Sequence, residues 1–477
     1  MRQGKHRKDK ENDTMKFEKD VVIGLEIHVE LNTKTKLFCS CPTQGSDAPN
    51  SRTCPVCLGM PGSRPVLNKE AVHKSMMLAK ALGCRIADKL VFSRKSYFYP
   101  DLAKNYQITQ YEKPLGEKGK LDIDGARIEI TRVHMEEDPA SLIHPGGMSG
   151  SGYVLVDYNR SGNPLCEVVT EPQLESPRQA REFMDAFETL LLYLGIFEPG
   201  KNIIKADANV SVKETGYVRA EVKNISSFKE IERALSYEIE RQRRSAKEGL
   251  VLHQETRAWN PEKGFTTGLR TKETEEDYGY IFDPDLVPVE LSSFENIELP
   301  ELPSDKAGKY KAKGVAAEDA KVITQDFHLS RFFDKVIDSD PALAARWVRR
   351  ELVRAMNYNN LLSSELKIDP SELKRLILMI KEGKITEKTG QKIMDKLILE
   401  RFDVARYVKD NDLGASGDNS ELELFCRQAV EENQAAVSDY MSGKEIALNF
   451  LLGAVMKKSR GKADPKQIKE MLLAHLK

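Results

Sequence analysis

Four cysteines, Cys39, Cys41, Cys54 and Cys57, follow the pattern C-x-C-x12-C-x-x-C. Each short loop can aim two sulfurs at one ion, so residues 39–57 read as a loop that holds a structural Zn²⁺ by tetrahedral thiolate coordination. With all four positions taken by protein, none is left open for chemistry. The alternative is four reduced, unliganded cysteines in a Pro/Ser-rich loop. Carboxylates form a second set: Glu26 beside His28, Glu136 and Glu137 before Asp138, and Glu167 near Glu171. If their strands share a sheet, these groups converge on a hard divalent cation, which wants several oxygens and tolerates one imidazole. Otherwise they are the solvated face of a half-exposed sheet. Arg94, Lys95, Lys104, Arg132, Arg160, Lys205 and Lys223 supply cations for phosphate or for developing negative charge. A solvated surface explains most of the lysines equally well.

The elements that must position these residues are legible as patterns. Val21 to Leu31 alternates, with Ile23, Leu25, Ile27, Val29 and Leu31 on one face and Glu26, His28 and Glu30 on the other. Residues 207–212 and 164–172 alternate in the same way, the second placing Leu165, Glu167, Val169 and Glu171 together. Residues 127–138 are strand-like, but their apolar parity changes between Ile130 and Val133, so a bulge or turn intervenes and the inward choice between Glu136 and Glu137 stays open. Helices are predicted from Asn68 to Leu82, from Ser176-Pro177 to Leu194 and from Lys229 to Glu248, each closed by a glycine. Strands interrupted by helices without a βαβ rhythm indicate an α+β fold with a large, mainly antiparallel sheet. Beyond the Pro/Lys-rich stretch near residues 291–314 the pattern is almost wholly helical, with helices at 341–356, 371–381 and from Asp464-Pro465. The expected organisation is a disordered basic lead-in over 1–19, a sheet domain over 20–295, a helical domain over 296–409 and a small helical tail over 420–477.

With 477 residues, 40% hydrophobic and 31% charged, the composition is that of a globular protein, and no apolar run approaches the ~20 residues of a membrane span. The lead-in lacks the apolar core of a secretory signal, so a cytoplasmic location is expected. A net charge of −1 leaves RNA binding to local basic patches. Two motifs mislead. Residues 195–202, GIFEPGKN, approach a phosphate-binding P-loop but follow a helix instead of a strand and end without the hydroxyl that holds Mg²⁺. The loop GGMSGSG at 146–152 lacks the strand-turn-helix context and the basic partner of a serine amidase, so no nucleophile for glutamine hydrolysis is found.

Several segments in order, VVIGLEIHVELNTKTKLFCSCP, PNSRTCPVCLGMPGSRPVLN, RKSYFYPDLAKNYQITQYEKPL, ITRVHMEEDPASLIH, LVDYNRSGNPLCEVVTEP, DANVSV, EVKNISSF, HQETRAWN and GAVMKKSRGKADP, resemble the B subunits of GatCAB-type tRNA-dependent amidotransferases from about Val21 to Lys477. The resemblance implies a catalytic cradle distantly like glutamine synthetase, then the helical domain and a tRNA-binding tail. It implies that Glu26, His28, Glu137 and Glu167 hold a catalytic Mg²⁺, that Lys95 belongs to the site with Arg160 and Lys205 on the nucleotide side, and that the four cysteines bind zinc. In the tail, Lys457, Lys458, Arg460 and Lys462 are expected on tRNA phosphates. The implied reaction uses ATP to phosphorylate the side-chain carboxylate of Glu-tRNA(Gln) or Asp-tRNA(Asn). Ammonia from the glutaminase partner, the A protein of the complex, then displaces the phosphate, in a heterotrimer completed by a small C protein. The rival expectation is a zinc-stabilised tRNA-binding scaffold without catalysis. Departures from the family pattern are NIIKA before Asp207, Gly279 and Ile281 within DYGYIFDPDL, and a long loop at 145–152.

Overall fold

The computed structural model describes residues 17–146, 152–225, 227–271, 278–294, 296–414, 419–459 and 465–476. Most of the lead-in, the centre of the Gly/Ser loop, part of the polar stretch 410–419 between the two expected helical domains, and Arg460 and Lys462 lie outside them.

The chain divides into two compact units, Met1–Leu302 and Pro303–Lys477. In the first, nine described strands form one sheet: β1 Val21–Glu30, β2 Arg85–Ile86, β3 Gly116–Ile123, β4 Ala126–Glu137, β5 Pro164–Thr170, β6 Ile204–Val212, β7 Ala220–Ile225, β8 Glu255–Asn260 and β9 Phe265–Thr271. Their order is β9-β8-β7-β6-β1-β5-β4-β3-β2, antiparallel throughout except for the β7–β8 pair. Alternation in β1 does what it predicts: Ile23, Ile27 and Val29 are fully buried, whereas Glu26 and His28 lie half-buried on the opposite face.

Three helices, α1 Lys69–Ala81, α2 Pro177–Leu194 and α3 Phe228–Lys247, share one core with the apolar face of the sheet. Val72 and Met76 of α1, Phe183 and Phe187 of α2, and Ile231 and Leu235 of α3 are buried there, each contributing about 1.5–3 kcal/mol. Their ends follow the predicted capping chemistry. Asn68 accepts from the amides of Glu70 and Ala71; Ser176 accepts from Gln179, and Gly195 closes α2 at φ 66°. GIFEPGKN is therefore a helix stop and the loop after it.

The parity change in β4 is real. Val169 of β5 pairs with Arg132, but Thr170 pairs with Ile130, which leaves Thr131 as the extra residue of a bulge. Opposite it on β3, Lys118 takes a positive φ of 56°. Ile128 and Ile130 are buried before the bulge, and Val133 and Met135 after it.

The sheet unit continues past the expected boundary at 295 because Ile297, Leu299 and Leu302 pack against its core. The second unit is helical and carries two apolar clusters, one within residues 310–408 and one within 422–476. The expected helix at 341–356 is a continuous run from Pro341 to Tyr358 with a π-helical stretch at Trp347–Leu352. Those at Pro370–Lys381 and Pro465–His475 also form. No helix among the described residues is long and apolar enough to cross a membrane.

Candidate active site and metal sites

Antiparallel partners point to the same face of a sheet, so the register of four central strands lays out a row of side chains. Lys205 on β6 faces His28 on β1, which faces Glu167 on β5, which faces His134 on β4. One pair along, Asp207, Glu26, Val169 and Arg132 form a parallel row. This polar face lies opposite the helices.

Three members of the face close into a cluster. His28 Nε2 lies 3.4 Å from both Glu136 Oε1 and Glu167 Oε2, and the ligand atoms of the three residues all lie within 4.8 Å of one another. His134 Nε2 adds a contact of 3.0 Å to Glu167 Oε2. Burial disfavours a charged His28, but the hydrogen bond and charge of Glu167, helped by Glu136 and Asp207, outweigh it and lift the imidazole to about 9. The two carboxylates are driven apart. Glu136 is raised by burial and by the charge of Glu167. Glu167, though equally buried, is held well below the usual range by His134 and His28. Two buried carboxylates that draw on the positive charge of His28 are a donor set suited to a divalent cation, which would take over that role as the imidazole gives up its proton.

The carboxylate chosen through the family resemblance, Glu137, is not part of this cluster. Glu136 shares the parity of His134; Glu137, one residue on, falls on the opposite side at the strand end, where its carboxylate accepts from Lys104 Nζ at 2.5 and 2.7 Å and from the Ile108 amide at 2.9 Å. Glu26 shares the polar face but stands outside the cluster, with its carboxylate accepting from Asn209 Nδ2 at 2.9 Å. Glu171 lies beyond the end of β5 and accepts from the Thr131 hydroxyl at 2.7 Å.

The expected cations divide into two groups. Lys95, on the strand Ser93–Ser96, holds its Nζ 4.5 Å from the ring centroid of Tyr278 and favours the ionised form of Glu136 by its charge. Lys205 is exposed at the end of the His28 row. Lys223 bridges Asp207 and Glu221 at 2.5 and 3.1 Å. Arg160 is engaged elsewhere, pairing with Asp138 at 3.0 Å and donating to the carbonyls of Pro139 and Ala140.

Two features of the site escape a reading of spacing. One is His134, for which parity with Glu136 is the only signal in the sequence. The other is an aromatic wall: Tyr280 stacks on Tyr111 with centroids 4.1 Å apart and planes at 9°, and Tyr278 meets Tyr280 edge-on. Burial and the charges of Glu136 and Glu167 raise the Tyr280 hydroxyl, so this wall borders the cluster. Its signal is the spacing of Tyr278 and Tyr280 in DYGYIFDPDL.

The sulfurs of Cys39, Cys41, Cys54 and Cys57 likewise lie within 4.8 Å of one another, with 3.9 Å between Cys54 and Cys57. That spacing fits a tetrahedron of bonds of ~2.3 Å about one zinc ion. The Cys54 amide donates to Cys57 Sγ at 3.1 Å. In the tail, Lys457 is exposed in the last turn of the helix Ile446–Lys458, whereas Lys458 pairs with Glu432 at 2.7 Å.

Comparison with known proteins places the chain. Residues 21–296 match the GatB/GatE catalytic domain and residues 331–476 the GatB domain. The B subunit of the aspartyl/glutamyl-tRNA(Asn/Gln) amidotransferase of Methanospirillum hungatei is 45% identical over 95% of this chain and 98% of its own. Its counterpart in Moorella thermoacetica is 41% identical over 96% of this chain and 100% of its own, and that of Methanoregula boonei 41% identical over 96% and 98%. The matches run through the sheet unit and the helical unit alike, and on that ground the chain belongs to the GatB family of aspartyl/glutamyl-tRNA amidotransferase B subunits.

Proposed function

We propose that the chain is the transamidase component of a cytoplasmic heterotrimer, converting Glu-tRNA(Gln), Asp-tRNA(Asn) or both to the amide with ATP and with ammonia from a glutaminase partner, the small third protein completing the complex. The observation that carries this reading is the convergence of His28, Glu136 and Glu167 on the polar face of the sheet, bordered by Lys95 and the tyrosine wall, in a chain matched over nearly its whole length by such amidotransferase components.

A side-chain carboxylate is a poor electrophile, and phosphorylation by ATP turns one of its oxygens into a leaving group. A Mg²⁺ held by His28, Glu136 and Glu167 would neutralise charge that builds on the transferred phosphoryl group. Around it, Lys95 and Lys205 are placed to bind phosphate oxygens. Glu26, oriented by Asn209, is placed to hold a water or amine at the edge of the cluster. The tyrosines narrow the site and keep water from the activated acyl group. Glu137 serves to fix Lys104 and the strand that begins at Tyr106. The four cysteines hold zinc as a structural ion, and the exposed Lys457, with Arg460 and Lys462, contacts tRNA phosphate. The polar face of the sheet serves as the floor of the glutamine-synthetase-like cradle.

The test is the reconstituted complex supplied with each mischarged tRNA, following ATP cleavage and amide formation separately. Both must occur, and both must be lost in Glu136→Ala. A Glu136→Ala complex that still forms amide removes Glu136 from the proposed metal site; a complex that still forms amide when His28, Glu136 and Glu167 are all replaced leaves the chain a tRNA-binding scaffold.

A further inference from the structure

The zinc loop holds an unusual neighbour. Lys36 is wholly buried, and its ammonium donates to the Tyr158 carbonyl at 3.2 Å and lies 3.8 Å from Cys57 Sγ. A lysine withdrawn from water needs a counter-charge to offset the lost hydration. Four thiolates about a divalent ion carry two negative charges in excess, and Cys57 is the sulfur that faces this cation.

The same region is tied to the central strands of the sheet along two routes. On one side, the Leu37 amide donates to the Gly162 carbonyl at 2.8 Å, and Asn159 accepts from the Arg52 amide at 2.8 Å while donating to the Ala48 carbonyl at 2.7 Å. The Tyr158–Asn163 loop clasped in this way leads directly into β5 and Glu167. On the other side, Gly59 sits at φ +64° so close to Lys104 that an added Cβ would lie 3.2 Å from its Cα, and Lys104 is the cation that fixes Glu137 at the end of β4.

We propose that Lys36 is the fixed counter-charge of the four-cysteine site and that, through it, zinc occupancy sets the position of the Tyr158–Asn163 loop from which the strand carrying Glu167 departs. Lys36 is thus a positioning residue: it touches neither substrate nor the reacting atoms. The proposal rests on reading the four cysteines as a zinc site, and metal content tests that reading separately.

The experiment uses the full chain in its complex. Wild type is expected to hold one zinc per chain as purified; a preparation without zinc removes the zinc reading and the proposal with it. Lys36→Met keeps the length and apolar stem of the side chain but deletes charge and donors. Loss of an outer-shell partner typically costs about 10–100-fold in metal affinity, so Lys36→Met is expected to release zinc to a chromophoric chelator at least ~10-fold faster than wild type. Hydrogen exchange should rise at residues 158–163 and stay unchanged in β6. A lysine that only fills space would lower the melting temperature without changing the release rate measured well below it. Should Lys36→Met fail to fold, stripping zinc from wild type decides the coupling, because exchange must then rise at 158–163. Wild-type release kinetics in Lys36→Met, or full protection at 158–163 after zinc is stripped, overturns the proposal.

Discussion

The two clusters suited to metals are built in opposite ways. The four cysteines sit within residues 39–57 and converge by local turns, whereas His28, Glu136 and Glu167 come from three strands and meet only because β4, β5 and β1 pair in one register. The first needs its own loop; the second needs the whole sheet. A local site can be read from spacing alone, but an assembled one depends on every residue that counts the strand out to the right face.

The sharpest way to break this contrast is to exchange the roles of Glu136 and Glu137. Glu136→Ala is expected to lower amide formation by on the order of 1,000-fold with little change in melting temperature, because it removes a donor from the cluster and leaves the packing intact. Glu137→Ala is expected to do the reverse. It strands Lys104 in a site where both partners are largely buried, at a cost of about 3 kcal/mol in a urea titration. If Glu137→Ala instead abolishes magnesium-dependent activation at unchanged stability, the two carboxylates have been assigned to the wrong tasks.

This pair also marks where the sequence stops being legible. Strand β1, the caps at Asn68 and Ser176 and the four-cysteine loop follow from periodicity and spacing, since each is decided by neighbours along the chain. The bulge in β4 can be located from the shift between Ile130 and Val133, but its consequence cannot be carried through to Glu136 without the register of β5. The family resemblance points to Glu137, and the structure turns that residue toward Lys104. Tyr278 and Tyr280 are separated from the carboxylates by more than a hundred residues and are brought to them by the strand pairing of Ile281 and Phe282 with Arg94 and Ser93 and by the stack on Tyr111. Nothing in their local pattern announces that partner.

Smaller effects sharpen the comparison on the local side. Asn68 caps α1 and also donates to the carbonyls of Thr35 and Lys36, so it joins the helix to the base of the four-cysteine loop. Asn68→Ala is expected to cost about 1–2 kcal/mol, read by thermal or urea unfolding, with amide formation per folded complex unchanged. A large loss of activity at constant folded fraction would show that the local loop reaches the chemistry through α1. The smallest effect is expected in the tail. Lys457→Ala should reduce the slope of log K against log salt for tRNA binding by roughly 0.7–0.9, the worth of one phosphate contact, whereas Lys458→Ala should leave the slope unchanged because Lys458 is committed to Glu432. Equal slopes for the two variants would remove the distinction between them.

The single extra residue at Thr131 has a consequence for how this strand tolerates mutation. Losing that residue would restore plain alternation between Ile130, Arg132 and Val133, so His134 and Glu136 would keep the polar face and Met135 the core. Gaining one residue between Val133 and His134 would instead invert the strand from there on: His134 and Glu136 would be driven into the core, Met135 would turn out, and Glu137 would move to the face Glu136 had left. The end of β4 therefore tolerates a shortening at its bulge far better than a lengthening beyond it, and a frame-preserving insertion there should be as damaging as loss of the cluster itself.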